Sequence, residues 1–383
     1  MYLIALKMLI GDKLKYIGLI VALSFASFII TQQGAIFLGI MKRTFSFITD
    51  TSQPNIWVMD KRVQFVDDIK GMKQTALYRV RSIDDVEWAV PMYKGLIPAR
   101  LRNGVFQSCV FVGIDDATLI GGPPILLEGT LDKLHFPDAV FVNKVGADTK
   151  LASKEGDITI PLRVGDVMEL NDRRAYVAGI CDTSRTFQSQ PVIYTTYNNA
   201  TTYAPLVRDV LSFVLVKSRS GVDPEALCEK ITRDTGYAAY TTWQFQKLTM
   251  MYYAKNTGIV VNFGVAIILG FIIGMAISGQ TFFNFIIDNL PYFGTFKAMG
   301  VSNTVLVKMV VLQALMVSAI GWGIGVGAAA IFGWSLSGTE LSFSLAWWLY
   351  VLSSFSLLFI CFVGALFSVM KVVRVDPAIV FKS

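Results

Sequence analysis

A chain of 383 residues that is 54% hydrophobic and only 16% charged carries too little polar surface for a water-soluble globule. The single histidine and four cysteines exclude a His-rich metal centre. A formal net charge of +6 invites a nucleic-acid reading, which the placement of the charges removes.

Four stretches without a charged side chain, residues 16–41, 256–287, 309–339 and 341–370, each exceed the roughly 20 apolar residues a membrane-crossing helix needs. They predict an α-helical membrane protein with four transmembrane helices, one plus three, and a large α+β extracytoplasmic domain inserted between the first and second spans. The expected domains are 1–41 (an N-terminal amphipathic helix and the first span), 42–255 (the inserted domain with stalk helices) and 256–383. The last contains three spans and a cytoplasmic loop at 288–308.

In chain order, residues 1–14 read as a short amphipathic helix on the inner leaflet, with Leu3, Leu6 and Ile10 set against Lys7 and Lys13. The first span is too long for a signal-peptide core and no cleavage site follows Gly39, so it is expected to be retained. Gly18, Ala22 and Ala26 recur every fourth residue along it. Residues 42–48 can prolong it outward. The inserted block opens with a strand at 55–60, a helix over 67–81 whose start is poorly marked, and a strand at 86–93. Near its far end a strand at 211–217 precedes a helix capped by Asp223, started by Pro224 and stopped by Gly236, and 237–242 extends again. Two β-α-β units thus flank a β-rich centre, in which Asn103-Gly104 and Asn171-Asp172 mark hairpins. Residues 241–255 have few helix breakers and are expected to run as helix into the second span. There Ala266, Gly270 and Gly274 repeat the small-residue spacing, as Gly321 and Gly325 do in the third span, so these positions are read as helix-packing contacts.

Lysine and arginine placement orients the chain. With the N-terminus inside, the short cytoplasmic pieces hold Lys7, Lys13, Lys15, Lys297, Lys308, Lys371, Arg374 and Lys382 against Asp12, Asp288 and Asp376. Both termini and the loop after the second span are therefore expected in the cytoplasm, with the large domain outside and nearly neutral. Nucleic acid is not an expected partner; membrane lipid is.

Chemistry is sparse. No G-x-x-x-x-G-K-[ST] phosphate loop exists, so hydrolysis of ATP is not expected of this chain. Gly323-Ile-Gly-Val-Gly-Ala imitates a dinucleotide fingerprint but sits inside a span with no preceding strand. His135 reads as a surface histidine, and the Asp67-Asp68, Asp84-Asp85 and Asp115-Asp116 pairs lack calcium-loop spacing. Cys109, Cys181 and Cys228 leave room for at most one disulfide in the outer block, and Cys361 lies in the last span. No catalytic or metal site is expected. The spans hold no ionisable residue, which argues against ion coupling. Gln32, Gln33, Asn262, Gln280, Asn284 and Gln313 are expected to hydrogen-bond between helices.

The most specific segment is Asp288-Asn-Leu-Pro-Tyr-Phe-Gly-Thr-Phe-Lys-Ala-Met-Gly-Val-Ser-Asn303, followed by Val311-Leu-Gln-Ala314. It resembles the R-E-x-G-x-L-K-A-x-G-A-s segment of the FtsX/MacB superfamily of ABC transporter permeases, and Arg374-Val-Asp-Pro-Ala378 resembles that family's C-terminal signature. The length and the absence of a fused ATPase look closest to DevC-type permeases. The resemblance implies that a short helix in this loop is pressed by separate ATPase subunits, which use ATP and Mg, while this chain binds no cofactor itself. It carries the coupling role onto Leu290, Pro291, Tyr292, Phe293, Gly294, Thr295, Phe296, Lys297, Ala298, Met299 and Gly300, whose exposed aromatics suit a protein interface. Where the family has Arg-Glu, this chain has Pro291-Tyr292, replacing a charged contact by an apolar one. Further implied are an inner-membrane location, a second permease copy or homologue, a periplasmic adaptor and an outer-membrane channel, with export of an amphiphile or peptide by mechanotransmission. Lipoprotein release of the Lol type, or FtsX-like regulation of a cell-wall hydrolase, are the alternatives the same resemblance implies.

Overall fold

The computed structural model describes residues 2–101, 104–155, 158–204, 211–336 and 339–373. They divide into two compact units, Met1–Ile40 with Thr257–Ser383, and Met41–Asn256. The chain begins with α1 (Tyr2–Gly11), α2 (Lys13–Thr44) and α3 (Ser46–Asp50), then β1 (Ile56–Met59), α4 (Thr75–Arg81), β2 (Val86–Arg100) and β3 (Phe106–Ile114). Its middle holds β4 (Ile125–Glu128), a 3₁₀ turn at Leu131–His135, β5 (Ala139–Asn143), α5 (Lys144–Asp148), β6 (Ser153–Glu155) and β7 (Ile158–Ile160). Next come β8 (Val167–Leu170), β9 (Arg173–Asp182), β10 (Val192–Thr196) and α6 (Tyr197–Tyr203). β11 (Phe213–Ser218), α7 (Pro224–Thr235), β12 (Ala238–Thr241) and α8 (Thr242–Asn256) complete the second unit, and α9 (Ile259–Asp288), α10 (Leu290–Ala298), α11 (Asn303–Ser335) and α12 (Trp347–Val373) follow.

The second unit is built on a ten-stranded mixed sheet in the order β12-β1-β11-β2-β3-β10-β5-β9-β4, with β8 pairing β2 and β9. At one end β1 lies antiparallel between β11 and β12, and β11 lies antiparallel to β2. With α4 and α7 as crossovers, the order β12-β1-β11-β2 makes two interlocked split β-α-β units, a ferredoxin-like arrangement. The β-rich centre is inserted between its second and third strands. β2 joins the two parts: its first half pairs β11 and its second half pairs β3.

Strand alternation sends side chains to two cores. On β1, Ile56 and Val58 enter one cluster with Ala76 and Val80 of α4 and Leu227 and Ile231 of α7. Trp57 and Met59 enter the other with Phe47 and Ile48 of α3 and Phe245 of α8. Trp57 is its centre, with ring centroids 5.5 Å from Phe213, 5.6 Å from Phe245 and 6.3 Å from Phe47. The helices through which the chain enters and leaves this unit therefore pack on the same face of the sheet. The end of α8 is fixed as well, by stacking of Tyr252 on Phe65 at 4.1 Å and by Tyr253 donating to Asp67 at 3.0 Å. Asp67 also pairs with the buried Lys94 of β2, whose ammonium lies 5.0 Å from the Phe47 ring centroid.

Local signals acted as expected at several places. Asp223 accepts from the Glu225 and Ala226 amides, Pro224 starts α7 and Gly236 ends it at φ +79°. Asn171 and Asp172 have φ +48° and +59°, the two left-handed residues of a tight turn between β8 and β9. Gly104, at φ +81°, sits in the β2–β3 hairpin, while Asn103 lies outside the described residues. Other expectations need correction. The helix expected over 67–81 is confined to Thr75–Arg81, because the preceding segment is drawn to the sheet where Met72 bridges Leu211. Residues 42–48 do not extend α2 as one rod: it ends at Thr44 and α3 starts after Phe45. α8 does not run into α9, since Gly258 adopts φ +66° and breaks the helix.

Among the described residues four helices are long and apolar enough to cross a membrane, Lys13–Thr44, Ile259–Asp288, Asn303–Ser335 and Trp347–Ala365. α1 is buried through Ala5 and Leu9 rather than Ile10, which is 45% exposed; its face is taken up by α11, where Gln313 donates to the Ala5 carbonyl at 2.6 Å. The side chains of Leu3 and Leu6 lie outside the described residues. Of the polar span residues, Gln313 thus reaches another helix, while Gln280 bonds Asn284 and Gln33 bonds Gln32 within their own helices. Cys109, Cys181, Cys228 and Cys361 are free and buried. Burial pushes the thiols of Cys109, Cys181 and Cys228 up to about 12, which leaves them as unreactive core groups.

Two tests follow from the second unit. Phe245→Ala removes a ring from the centre of the cluster that holds α8, and is expected to cost about 3–5 kcal/mol, read from thermal unfolding of the full chain. His135 faces the carbonyls of Asp132 at 2.9 Å and Asp116 at 2.8 Å, and only an imidazolium donates to both at once. These two bonds, Asp132's first, raise its pKa above the usual 6.5. The stabilisation is complete below 6.5 and is lost as pH rises through the higher folded value. An NMR titration should give a His135 pKa above 6.5, and His135→Ala should remove that part of the pH dependence.

Candidate coupling site

The turn that ends α9 and starts α10 is the most chemically distinct part of the first unit. The Asn289 side chain donates to the Phe285 carbonyl at 2.8 Å, and Pro291 enters in the first turn of α10, where no amide is lost. The far end closes as a Schellman motif: the Val301 amide donates to the Phe296 carbonyl and the Gly300 amide to the Lys297 carbonyl, both at 3.0 Å, with Gly300 at φ +87°. α10 is thus a defined short helix and not an extended loop.

Its two faces differ. Phe293 is fully buried among Phe282, Phe285, Ile286, Leu306 and Met309, and Leu290 and Phe296 pack partly against the same cluster. Gly294 is buried beside them. Tyr292 and Met299 are 60% and 66% exposed, and Pro291, Thr295, Ala298 and Gly300 are exposed with them, Lys297 being intermediate. The expectation of exposed aromatics along the whole segment is corrected: Phe293 anchors the helix to the bundle, and Tyr292 is the aromatic left outward. Apolar residues all round α10 hid this division from the sequence.

Sequence reading also missed Lys15. At the α1–α2 corner its amide donates to Asp12 Oδ1 at 3.3 Å and its ammonium lies 3.0 Å from Asp12 Oδ2. The same ammonium pairs with Asp288 at the end of α9. The bond from Lys15 holds the Asp12 carboxyl below its usual range. These groups are more than a third exposed and screened by solvent, so the pairs act mainly to set the geometry where α2 begins and α9 ends. A separation of 273 residues made the contact invisible in the sequence.

The predicted packing glycines meet α2 in a consistent pattern. A Cβ on Gly270 would lie 2.8 Å from Ile29 Cγ2, on Gly274 2.7 Å from Ala26 Cβ, and on Gly321 2.7 Å from Leu23 Cβ. On Gly325 it would collide with Ser27 Cβ. Ala22 and Ala266 are half-buried, and Gly18 has open space where a Cβ would stand, so it takes no part in this seam within the chain. The closing Arg374-Val-Asp-Pro-Ala378 lies outside the described residues. Among the described residues no group of three potential metal ligands occurs.

A family model for the MacB-like periplasmic core domain matches residues 19–234, and one for the FtsX-like permease C-terminal region matches residues 240–377. The chain belongs to the FtsX/MacB superfamily of ABC-type permeases. It is accordingly a multi-pass inner-membrane protein with a MacB-like periplasmic domain between its first and second spans, and its family partners ABC ATPases. No curated protein matches it. Among solved structures, the extracellular domain of the noncanonic ABC-type transporter YknZ from Gram-positive bacteria is 14% identical with a TM-score of 0.35, the match covering 49% of this chain and 98% of that one. The periplasmic region of MacB from Actinobacillus actinomycetemcomitans is 14% identical with a TM-score of 0.37, covering 55% of this chain and 96% of that one.

The glycine seam separates two outcomes on one helix. Gly325→Ala forces a methyl into Ser27 and is expected to destabilise the bundle by about 1–3 kcal/mol. Gly323→Ala and Gly327→Ala, where a Cβ meets nothing, are expected to be neutral or slightly stabilising. Thermal unfolding in detergent compares the three.

Proposed function

We propose that this chain is the membrane subunit of an ABC exporter that works by mechanotransmission. Two copies, or one copy and a homologue, sit on separate ATPase subunits that use ATP and Mg. Both termini and α10 face the cytoplasm. Closure of the ATPases presses α10, and the movement passes through the spans to the periplasmic domain. That domain engages a periplasmic adaptor and, through it, an outer-membrane channel, so that an amphiphile or peptide is expelled.

The observation that carries this reading is the two-sidedness of α10. Phe293 fixes the helix to the bundle while Tyr292 and the C-cap residue Met299, about two turns apart, are left outward on a short element between two spans. Bulky apolar residues held out on a rigid helix suit an anchor in a protein partner's pocket. Pro291-Tyr292 makes that contact apolar where relatives use charge.

Because Gly294 and Phe296 are wholly or partly inside the bundle, substituting them tests packing as much as coupling. Tyr292→Asp with Met299→Asp alters only the outward face. The double variant is expected to insert and fold normally yet lose its ATPase on affinity purification in mild detergent, an affinity loss of about thirtyfold or more for two anchors. Undiminished co-purification, or wild-type transport by the variant, contradicts the assignment.

A further inference from the structure

The end of the bundle that carries α10 also holds a cavity of about 690 Å³, walled by Lys7 and Met8 of α1, Asp12 and Lys13 at the α1–α2 corner, and Asn289 and Tyr292 at the α9–α10 corner. Its charges are not equally available. Asp12 and the further lining residue Asp288 are both engaged by Lys15. Lys7 and Lys13 are exposed and have no acidic partner among the described residues. Three lysines thus stand against two carboxylates, leaving a net charge of +1 with Lys7 and Lys13 as the unpaired cations of one recess, at the level where the spans Lys13–Thr44 and Ile259–Asp288 begin and end.

From the rim of this recess an apolar track runs along α2. Leu14, Ile17, Val21 and Phe25 are 84%, 57%, 61% and 53% exposed, and their spacing of three and four residues puts them on one helix face. A cationic recess at headgroup level, continued by an uncovered apolar stripe at acyl-chain depth, has the shape and charge of an anionic amphiphile's complement. Asn289 and Tyr292 line the same recess.

We infer that the recess is a binding site for an anionic phospholipid, whose phosphate lies between Lys7 and Lys13 and whose acyl chains follow Leu14, Ile17, Val21 and Phe25. Since Tyr292 walls the recess, an occupied site would bear on the outward face of α10. That regulatory consequence rests on the proposed coupling role; the lipid site does not.

The test uses the full-length chain without any ATPase, in mild nonionic detergent, with native mass spectrometry to count bound phosphatidylglycerol or phosphatidylcholine of identical chains. Phosphatidylglycerol should bind in preference. Lys7→Gln with Lys13→Gln, both at exposed positions, should weaken it about thirtyfold, the loss of two surface cation contacts, and Lys7→Arg with Lys13→Arg should restore it. Equal binding of the two lipids, or retention of phosphatidylglycerol by the double Gln variant, overturns the inference. So does displacement by glycerol phosphate alone, which would mark a phosphate site with no need of lipid. A two-copy species lost when Val21 and Phe25 are replaced by Ser would assign the stripe to a second permease and also overturn it. With no ATPase present, failure here leaves the coupling assignment untouched, and failure of that assignment leaves this site standing.

Discussion

Two neighbouring helices grip α2 through glycines that let the backbones close in. In a bilayer apolar side chains gain little by leaving lipid for one another, so spans associate where backbones come close enough for dense van der Waals contact. Gly270 and Gly274 of α9 reach Ile29 and Ala26, and Gly321 and Gly325 of α11 reach Leu23 and Ser27, all within two turns of α2. Any side chain at these glycines would push α2 away. Both connections to the second unit are interrupted, one where α2 ends at Thr44 before α3 and the other at Gly258 between α8 and α9.

Among the described residues of the bundle interior no Asp, Glu, Lys, Arg or His side chain is buried. Its charged chemistry is therefore confined to the ends of the spans. Lys15 with Asp12 and Asp288 sets the corner where α2 starts and α9 ends, and α10 is rooted next to that corner by Phe293. Tyr292, outward on α10, and the recess that it lines with Lys7 and Lys13 thus stand side by side. In the second unit, Trp57 draws α3 and α8 onto one face of the sheet, so the entering and leaving helices share one core.

Much of this was legible in the residues, for local physical reasons. Charge-free stretches of span length, the Asp223-Pro224 start and Gly236 stop of α7, and the left-handed pair Asn171-Asp172 each act through their own backbone or their own solvent. What was not legible depended on distance in the chain or on competition. Lys15 and Asp288, or Lys94, Asp67 and Tyr253, meet only after folding. The segment before Thr75 gave up helix for a bridge between Met72 and Leu211. Gly258 follows Asn256-Thr257, an ordinary helix-stop signal, yet the aromatic, helix-tolerant run before it concealed the break. α10 is apolar on all sides, so periodicity could not tell the buried Phe293 from the outward Tyr292.

The central claim is that the outward face of α10 is where the motor acts, and position 299 is the place to ask. A photoreactive residue at that position, in the permease assembled with its ATPase in lipid nanodiscs, should form a covalent adduct with the ATPase subunit in both the nucleotide-free and ATP-bound states. Adducts only with lipid or with a second permease, in complexes shown to contain the ATPase, would contradict the account.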